Sequence, residues 1–323
     1  MNLSSPDAPK RLVVAINPSA AFGANRQVGD RVVDELRRRG HSVTALLAPD
    51  FEQLQATTKQ ALKAAPDALI VVGGDGMVSL GTTMVVGTEI PLGIVACGTG
   101  NDMARGLGLP VNEVDAALDA LLEALGAGPR VIDAVQMNWG PGAERPPVDV
   151  TPGTNWRWYA GVLSAGFDAA VNERANSIRF PRGKSRYTVA IMIELLRLKA
   201  IRYRIELDDR ELVTDALLVS VSNNVSFGGG MNVTPNALLD DGLLDVLVVQ
   251  PLSRISFLRI FPKVFAGTHL GDKRVAVYRA RRVRIEADGV VAYADGERVG
   301  ELPVDIEVHR DVLRVLAPLP HPR

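Results

Sequence analysis

Short apolar runs alternate with amphipathic segments through the first third of the chain. Residues 12–16 are a β-branched run that ends at Asn17-Pro18, which is typical of a buried strand followed by a turn. Residues 28–39 have apolar positions at helical spacing, and Gly40 follows them. The same pattern predicts further strands at 42–47, 68–72 and 94–96, and helices at 51–64, 114–125 and from about Asn101. This alternation predicts an α/β domain with a parallel sheet and helices on both faces.

The pattern changes after the first third. Residues 139–158 are rich in Pro, Gly and Thr, which predicts an exposed turn or hairpin tip. Mostly strands are predicted beyond it, at 159–165, 202–207, 216–222, 244–250, 275–278, 282–287 and 304–309, with helices at 187–198 and 255–264. This half is therefore predicted to be a mainly antiparallel β domain. With the boundary near 132–135, we expect domains at 1–134 and 135–323.

Composition narrows the class of protein. A chain of 323 residues with 47% hydrophobic residues can bury the cores of two domains. The balance of 36 basic and 37 acidic residues argues against a nucleic-acid binder. The single cysteine, Cys97, excludes an internal disulfide and fits a reducing cytoplasm. No apolar run is long enough to span a bilayer, so any membrane contact is expected at the surface.

A glycine-rich loop with one carboxylate follows the predicted strand 68–72. Gly73-Gly74-Asp75-Gly76 places an acid at the carboxyl end of a parallel strand, where open α/β sheets bind ligands. The glycines let backbone N–H groups approach a phosphate, and the segment after them can present a helix N-terminus. Taken alone, the same four residues are also typical of an ordinary β-turn.

A second loop of this kind follows the next predicted strand. Gly98-Thr99-Gly100-Asn101-Asp102 again places glycines and polar side chains at a strand end. Asn101 or Asp102 alone would be a helix cap. Two such loops at one sheet edge favour a shared phosphate site, although neither is a Walker A loop or a Gly-x-Gly-x-x-Gly fingerprint.

These loops, together with later motifs, resemble the diacylglycerol kinase catalytic-domain family, which also contains sphingosine kinases, ceramide kinases and bacterial lipid kinases. NAD kinases and phosphofructokinases are similar only in the first loop and the first-domain fold. The later motifs are Gly166-Phe167-Asp168, Asn223-Asn224, Gly228-Gly229-Gly230, Pro235-Asn236-Ala237, Asp240-Asp241-Gly242-Leu243-Leu244-Asp245 and Ala294-Asp295-Gly296-Glu297.

The resemblance implies an ATP and Mg²⁺ site between the two domains. The residues implied to bind nucleotide are Asn17, Gly73, Gly74, Asp75, Gly76, Met77, Ser79, Gly98, Thr99, Asn101 and Asp102. Asp75 is expected either to be linked to Mg²⁺ or to take part in proton abstraction, and Asp102 to contact Mg²⁺-bound water. The family usually has Thr where Met77 stands, so a hydroxyl near the phosphates is missing here.

The late acidic turn is expected to supply the catalytic base. By resemblance, a carboxylate of Asp295-Gly296-Glu297 accepts the proton of the lipid hydroxyl, with Glu297 favoured and Asp295 next. Composition alone would make this an exposed turn. A second Mg²⁺ is implied away from the catalytic centre, bound by Asp241 and the carbonyls of Leu238 and Leu243, although a plain hairpin turn is an equal alternative.

The favoured function is an ATP-dependent lipid kinase that phosphorylates diacylglycerol, acting in the cytoplasm and transiently at the inner membrane surface. The alternatives are a kinase for sphingoid bases or other lipid alcohols such as phosphatidylglycerol, an NAD kinase, and a nucleotide-binding regulator without turnover. The cations Arg174, Arg179, Arg182, Lys184 and Arg186, which alternate with apolar residues, are candidates for contact with the membrane. A solvated linker before the predicted helix is the alternative, and residue by residue it is the more typical one. The sequence does not decide whether the protein forms a homo-oligomer.

Overall fold

The structure is a computed structural model that describes residues 8–17, 24–140, 156–178 and 184–319. The chain forms two compact units, of which the first is Met1–Ile132 with Asp311–Arg323 and the second is Asp133–Arg310. The chain crosses from the first unit to the second after Ile132, and the expected domain bounds of 1–134 and 135–323 stay a prediction. The return of the last segment to the first unit was not expected.

The first unit contains a parallel sheet. Its strands are β1 (Arg11–Ile16), β2 (Ser42–Leu46), β3 (Ala68–Gly73) and β4 (Leu92–Ala96). They lie in the order β2-β1-β3-β4 and all pair in parallel. The end of a long last strand, β18 (Val304–Val315), joins this sheet because Val315 pairs with Leu92. The expected strand 304–309 is only the first part of β18, so its pattern gave no sign of this addition.

Helices cover both faces of this sheet. They are α1 (Ala24–Arg38), α2 (Phe51–Leu62), α3 (Asp75–Val85), the short α4 (Asp102–Gly106) and α5 (Val114–Ala127). The apolar sides of α1 and α5 share one core cluster with alternate residues of the strands. On the other face, α3 approaches so closely at Gly81 that an added Cβ would lie 3.0 Å from Val71. The α/β prediction for the first domain is confirmed.

The second unit contains two antiparallel sheets. One has the order β14-β13-β10-β7-β16-β17. In the other, the first part of β18 pairs with β15, followed by β8 and β9, and β6 pairs with β5. The strand bounds are β5 (Arg130–Trp139), β6 (Trp156–Tyr159), β7 (Val162–Gly166), β8 (Ile201–Leu207), β9 (Arg210–Ala216), β10 (Leu218–Ser222), β13 (Leu244–Val249), β14 (Val275–Ala280), β15 (Arg282–Glu286), β16 (Val291–Ala294) and β17 (Glu297–Glu301).

The two sheets enclose one apolar core, and three helices form a further layer. The core includes the fully buried Tyr159, Tyr203 and Val219. A second apolar cluster joins β13 and β14 to α6 (Phe167–Ser177), α7 (Lys184–Leu196) and α8 (Arg254–Phe265). The small hairpin of β11 (Ser226–Phe227) and β12 (Met231–Asn232) turns at three glycines with positive φ. The predicted antiparallel β domain is confirmed.

Several elements escaped prediction. Helix α6 begins directly at the end of β7, with no intervening loop to announce a helix. Strand β9 is largely exposed and carries three charged residues, Arg210, Glu211 and Asp215, so it resembles a polar loop in sequence. Residues 141–155 of the expected exposed turn lie outside the described residues. Among the described residues, no helix is long and apolar enough to cross a membrane.

We expect Leu121→Ala to lower the free energy of unfolding by about 2–5 kcal/mol, because the residue is buried and truncation leaves a cavity. Leu121 also approaches the sheet closely, since a Cβ on Gly93 would lie 2.7 Å from its Cδ1. Urea titration would measure the change. Leu47→Ala, at a residue that is 55% exposed, is the control and should change stability by less than about 0.5 kcal/mol. Equal effects of the two substitutions would contradict this packing.

Candidate active site

The two glycine loops of the first unit lie at one edge of the parallel sheet. Gly73 pairs with Ala96, so the residues that follow β3 and β4 emerge side by side. The loops approach closely, since a Cβ added to Gly74 would lie 3.1 Å from the Gly98 Cα. A Cβ on Gly98 would overlap the Gly74 Cα. Glycine is therefore required at Gly98 by the distance between the two backbones.

The carboxylate of Asp75 joins the two loops. Its Oδ2 accepts the backbone N–H of Asn101, and its Oδ1 accepts that of Asp102, both at 2.8 Å. Burial raises the pKa of Asp75, and the nearby charge of Asp102 raises it further, while the two N–H groups act in the opposite direction. Asp75 thus acts as a half-buried acceptor that fixes the start of α4.

Asn101 holds its own loop in shape. It has a left-handed backbone with φ +57° and is 1% exposed. Its amide side chain accepts from the Gly98 N–H and donates to the Gly98 carbonyl, each at 2.9 Å. Asn112 lies 3.4 Å from the same amide, and sequence analysis missed it because only the fold brings it there. Asn is among the few residues that adopt this backbone readily, which explains its place here.

Other first-unit residues implied to bind nucleotide occupy different positions. Thr99 is exposed at the loop, and Asn17 follows β1, with its N–H bound to the Val72 carbonyl at 3.1 Å. Met77 and Ser79 are buried in α3. The Met77 side chain packs under Gly73, and its N–H bonds to the Gly74 carbonyl at 2.9 Å. Methionine thus fills apolar space below the loop.

The acidic turn of the second unit separates its two carboxylates. Asp295 and Gly296 have φ of +48° and +81° and form the tight turn between β16 and β17. The Asp295 carboxylate accepts the N–H of Val162, the first residue of β7, at 2.9 Å. It also accepts the N–H of Ala160, in the bend before β7, at 3.2 Å. Glu297 is exposed at the start of β17. Asp295 therefore fixes the turn, and Glu297 projects from it.

A second contact anchors the same hairpin to α6. The Tyr293 hydroxyl donates to Glu173 at 2.8 Å, and Arg298 lies 3.5 Å from the same carboxylate. Burial is the main cause and the contact with Glu173 the second cause that raise the pKa of Tyr293 to about 12. The phenol therefore stays protonated and acts as a donor. Sequence analysis missed Glu173 because it lies 120 residues from Tyr293.

Two family models match the chain. The diacylglycerol kinase catalytic domain matches residues 11–137, and the YegS C-terminal NAD kinase beta sandwich-like domain matches residues 161–317. A diacylglycerol kinase of Mycobacterium tuberculosis is 36% identical over 309 residues, which are 95% of each chain. This chain belongs to the diacylglycerol kinase family. The resemblance stated from its motifs is confirmed, and the chain is a kinase.

More distant proteins resemble this chain in sequence or in fold. A diacylglycerol kinase of Bacillus subtilis is 22% identical over 91% of this chain and 92% of its own. A crystal structure of a diacylglycerol kinase from Bacillus anthracis has a TM-score of 0.67, 20% identity and coverage of 96% and 97%. Yeast NADH kinase has a TM-score of 0.53 with 11% identity, covering 96% of this chain and 83% of its own. The last two show the shared fold.

The other family motifs of the second unit form its scaffold. The Asn223 side chain donates to the carbonyls of Asp133 and Ala160, both at 3.3 Å. The Thr234 hydroxyl donates to the Asn224 carbonyl at 3.0 Å. These contacts hold in place the segments around the bend at Ala160, whose N–H donates to Asp295.

The loop implied to bind a structural metal contains oxygen donors and a competing cation. Asp241 Oδ1 accepts the Leu243 N–H at 3.0 Å, and its other oxygen pairs with Arg279. The Asp133 carboxylate accepts the Gly242 N–H at 2.6 Å. Among the described residues, no group of three acidic, His or Cys side chains can hold a metal, so an ion here would need backbone carbonyls as well. Such an oxygen set fits a hard divalent cation.

Asp245 adds charge beside this loop. Its Oδ1 lies 3.6 Å from Arg279, and its buried Oδ2 has no hydrogen-bond partner in the described part of the chain. Burial raises the pKa of Asp245, while Arg279 acts in the opposite direction. An additional cation is therefore electrostatically favourable near Asp241 and Asp245.

The carboxyl group of Asp168, in the Gly-Phe-Asp motif, makes a pH-dependent contribution to the stability of this protein. Burial raises the pKa of Asp168 to about 6, although the Ala169 N–H acts in the opposite direction. Only the N–H is within hydrogen-bonding distance, at 3.0 Å, since the Ser164 hydroxyl has no such partner among the described residues. A carboxyl whose pKa is raised in the folded state destabilises the fold once it ionises.

We expect the contribution of Asp168 to stability to fall by up to about 3 kcal/mol as pH rises from about 4 through 6. Asp168→Asn should remove this component, so its stability advantage over wild type should be larger at pH 8 than at pH 4. Urea titrations across this range would measure it. Asp209→Asn, at an exposed turn, is the control. A difference between wild type and Asp168→Asn that stays constant with pH would contradict the raised pKa.

Proposed function

We propose that this family member is a Mg-ATP-dependent lipid kinase that transfers the γ-phosphate of ATP to the free hydroxyl of diacylglycerol. The products are phosphatidic acid and ADP. The relative from M. tuberculosis, matched over 95% of both chains, is called a diacylglycerol kinase, which supports this substrate. The proposed place of action is the cytoplasmic surface of the membrane that holds the lipid.

The glycine loops are proposed to bind the ATP phosphates. The N–H groups of Gly98, Asn101 and Asp102 already bond within the protein, so other backbone N–H groups of the two loops are proposed to approach the phosphate oxygens. Asp75 positions both loops through its bonds to the Asn101 and Asp102 N–H groups. Asp102 is proposed to face Mg²⁺-bound water. The metal, when bound with ATP, neutralises phosphate charge during transfer.

Glu297 is proposed as the general base. The observation that carries this assignment is the separation of the two acids, since Asp295 is occupied by three backbone N–H groups and Glu297 is exposed. An accessible carboxylate can accept the proton as the lipid oxygen bonds to phosphorus. Asp295 and Asp75 are then positioning residues. Asp241 and the carbonyls of Leu238 and Leu243 are proposed to hold a structural Mg²⁺.

Other acceptors remain alternatives within the same mechanism. Sphingoid bases and phosphatidylglycerol carry hydroxyls that the same base would activate. The fold shared with yeast NADH kinase makes NAD a further candidate. Purified protein should be incubated with labelled ATP and Mg²⁺ and offered diacylglycerol, sphingosine, phosphatidylglycerol and NAD separately. Label in phosphatidic acid supports the proposal, and label in another product reassigns the substrate. A protein that binds ATP without turnover would instead be a regulator.

We expect Glu297→Gln to lower kcat by about 10²–10⁴-fold, because it removes the base while keeping the side-chain shape. Its melting temperature should stay unchanged, since Glu297 is exposed. Asp295→Asn is the matched comparison. It should lower stability by about 1–3 kcal/mol, because a charged acceptor of backbone N–H groups is lost. The assignment is wrong if Glu297→Gln retains wild-type kcat.

We expect Mg²⁺ to stabilise the protein without ATP, by about 1.4 kcal/mol when its concentration is ten times the Kd of the structural site. This corresponds to a rise in Tm of about 2–4 °C, which calorimetry resolves. Asp241→Asn should abolish the rise. Asp209→Asn should retain it. A wild-type Tm that does not respond to Mg²⁺ would contradict a structural ion and leave Arg279 as the loop's cation.

A further inference from the structure

Two neighbouring helices of the second unit are apolar on their outer faces as well as their inner faces. The inner sides of α7 and α8 share one buried cluster, which includes Leu195 and Phe257. Arg254 of α8 donates to the Leu195 and Leu196 carbonyls at 3.2 and 2.6 Å, which joins the two helices. A helix that is apolar all round normally has a partner on each side.

The outer faces expose large apolar side chains at helical spacing. On α7, Met192 is 54% and Leu196 is 68% exposed. On α8, Ile255 is 65%, Leu258 is 53% and Phe265 is 50% exposed. These five residues, with Val189, account for six of the ten large apolar side chains that are exposed among the described residues. We call them the outer apolar face. Concentrated exposure of this kind marks an interaction surface.

The two helices that form this face carry a net positive charge. Segments 184–199 and 254–265 contain seven basic residues and one acid. The acid, Glu194, pairs with Arg174 at 2.7 Å, which leaves Arg174 unsuited to the lipid contact expected for it. In the described part of the chain, neither Arg259 nor Lys263 forms an ion pair, and both are exposed on α8. Arg179 and Arg182 of the expected basic loop lie outside the described residues.

We propose that the outer apolar face of α7 and α8 docks on the surface of an anionic lipid bilayer. The apolar side chains enter the boundary between headgroups and acyl chains, while Arg197, Lys199, Arg259 and Lys263 contact anionic headgroups. Apolar residues bordered by cations are the combination that binds such a surface. A second copy of this chain fits less well, because two surfaces with the same excess of positive charge would repel.

This inference rests on the proposed function, since a lipid kinase must reach a substrate in the membrane. Docking and catalysis are nevertheless separable. Docking is a property of the second unit's surface and needs neither ATP nor Mg²⁺. Phosphorylation of a short-chain diacylglycerol dissolved as monomers needs no bilayer. The two measurements together show which hypothesis fails.

The test is sedimentation of the full chain with vesicles of phosphatidylcholine, with and without phosphatidylglycerol. We expect binding to vesicles that contain phosphatidylglycerol, and weaker binding as salt rises. The double variant Met192→Glu with Leu258→Glu should lower the partition coefficient by about tenfold or more. Val213→Glu, at a residue that is 47% exposed on β9, is the matched control and should bind as wild type does. Arg259→Gln with Lys263→Gln should reduce both the binding and its salt dependence.

Several outcomes would overturn the docking surface. These are unchanged vesicle binding by the double variant, equal binding of wild type to vesicles without phosphatidylglycerol, or a dimer that the double variant dissociates. The double variant should keep wild-type kcat on the monomeric short-chain substrate, which also shows that it is folded. If wild type phosphorylates no diacylglycerol but the vesicle results hold, the proposed function fails and the docking surface stands.

Discussion

The carboxylate of Asp75 is the group on which the arrangement of the first unit's loops depends. Two glycine loops leave adjacent strands so close together that a side chain on Gly98 would overlap the backbone of Gly74. Asp75 of the first loop joins them by accepting the Asn101 and Asp102 N–H groups of the second. Burial and the nearby charge of Asp102 raise the pKa of Asp75, while the backbone N–H groups act in the opposite direction.

The second unit uses a carboxylate in the same way. Asp295 accepts backbone N–H groups from the bend before β7, and the pair of Tyr293 and Glu173 ties the same hairpin to α6. With the turn fixed on two sides, Glu297 projects at a defined place although its own side chain is exposed. Both units thus contain an acid that serves the backbone next to residues that are available to a ligand. A motif alone does not distinguish these roles.

The helix layer of the second unit gives that unit two kinds of apolar surface. Its inner face completes a core with the six-stranded sheet. Its outer face is also apolar and is bordered by cations, which a simple core helix does not need. Sequence analysis predicted helices at 187–198 and 255–264 but assigned no face of either to solvent or to a partner. The exposed apolar side chains distinguish the outer face of these helices from the buried inner face. They indicate that the outer face contacts another surface.

The sequence by itself determined the alternation of strands and helices in the first domain, the two classes of domain and the family. Strand runs and helical spacing are local, and the motifs Gly73-Gly74-Asp75-Gly76 and Asp295-Gly296-Glu297 are contiguous. Only the tertiary structure decided which acid serves the backbone and which is exposed, that the chain's end returns beside β4, and that Met77 fills a core. These facts depend on contacts between residues far apart in the chain. Periodicity within a segment carries no information about such partners, because burial and hydrogen bonding are set by what packs against the segment.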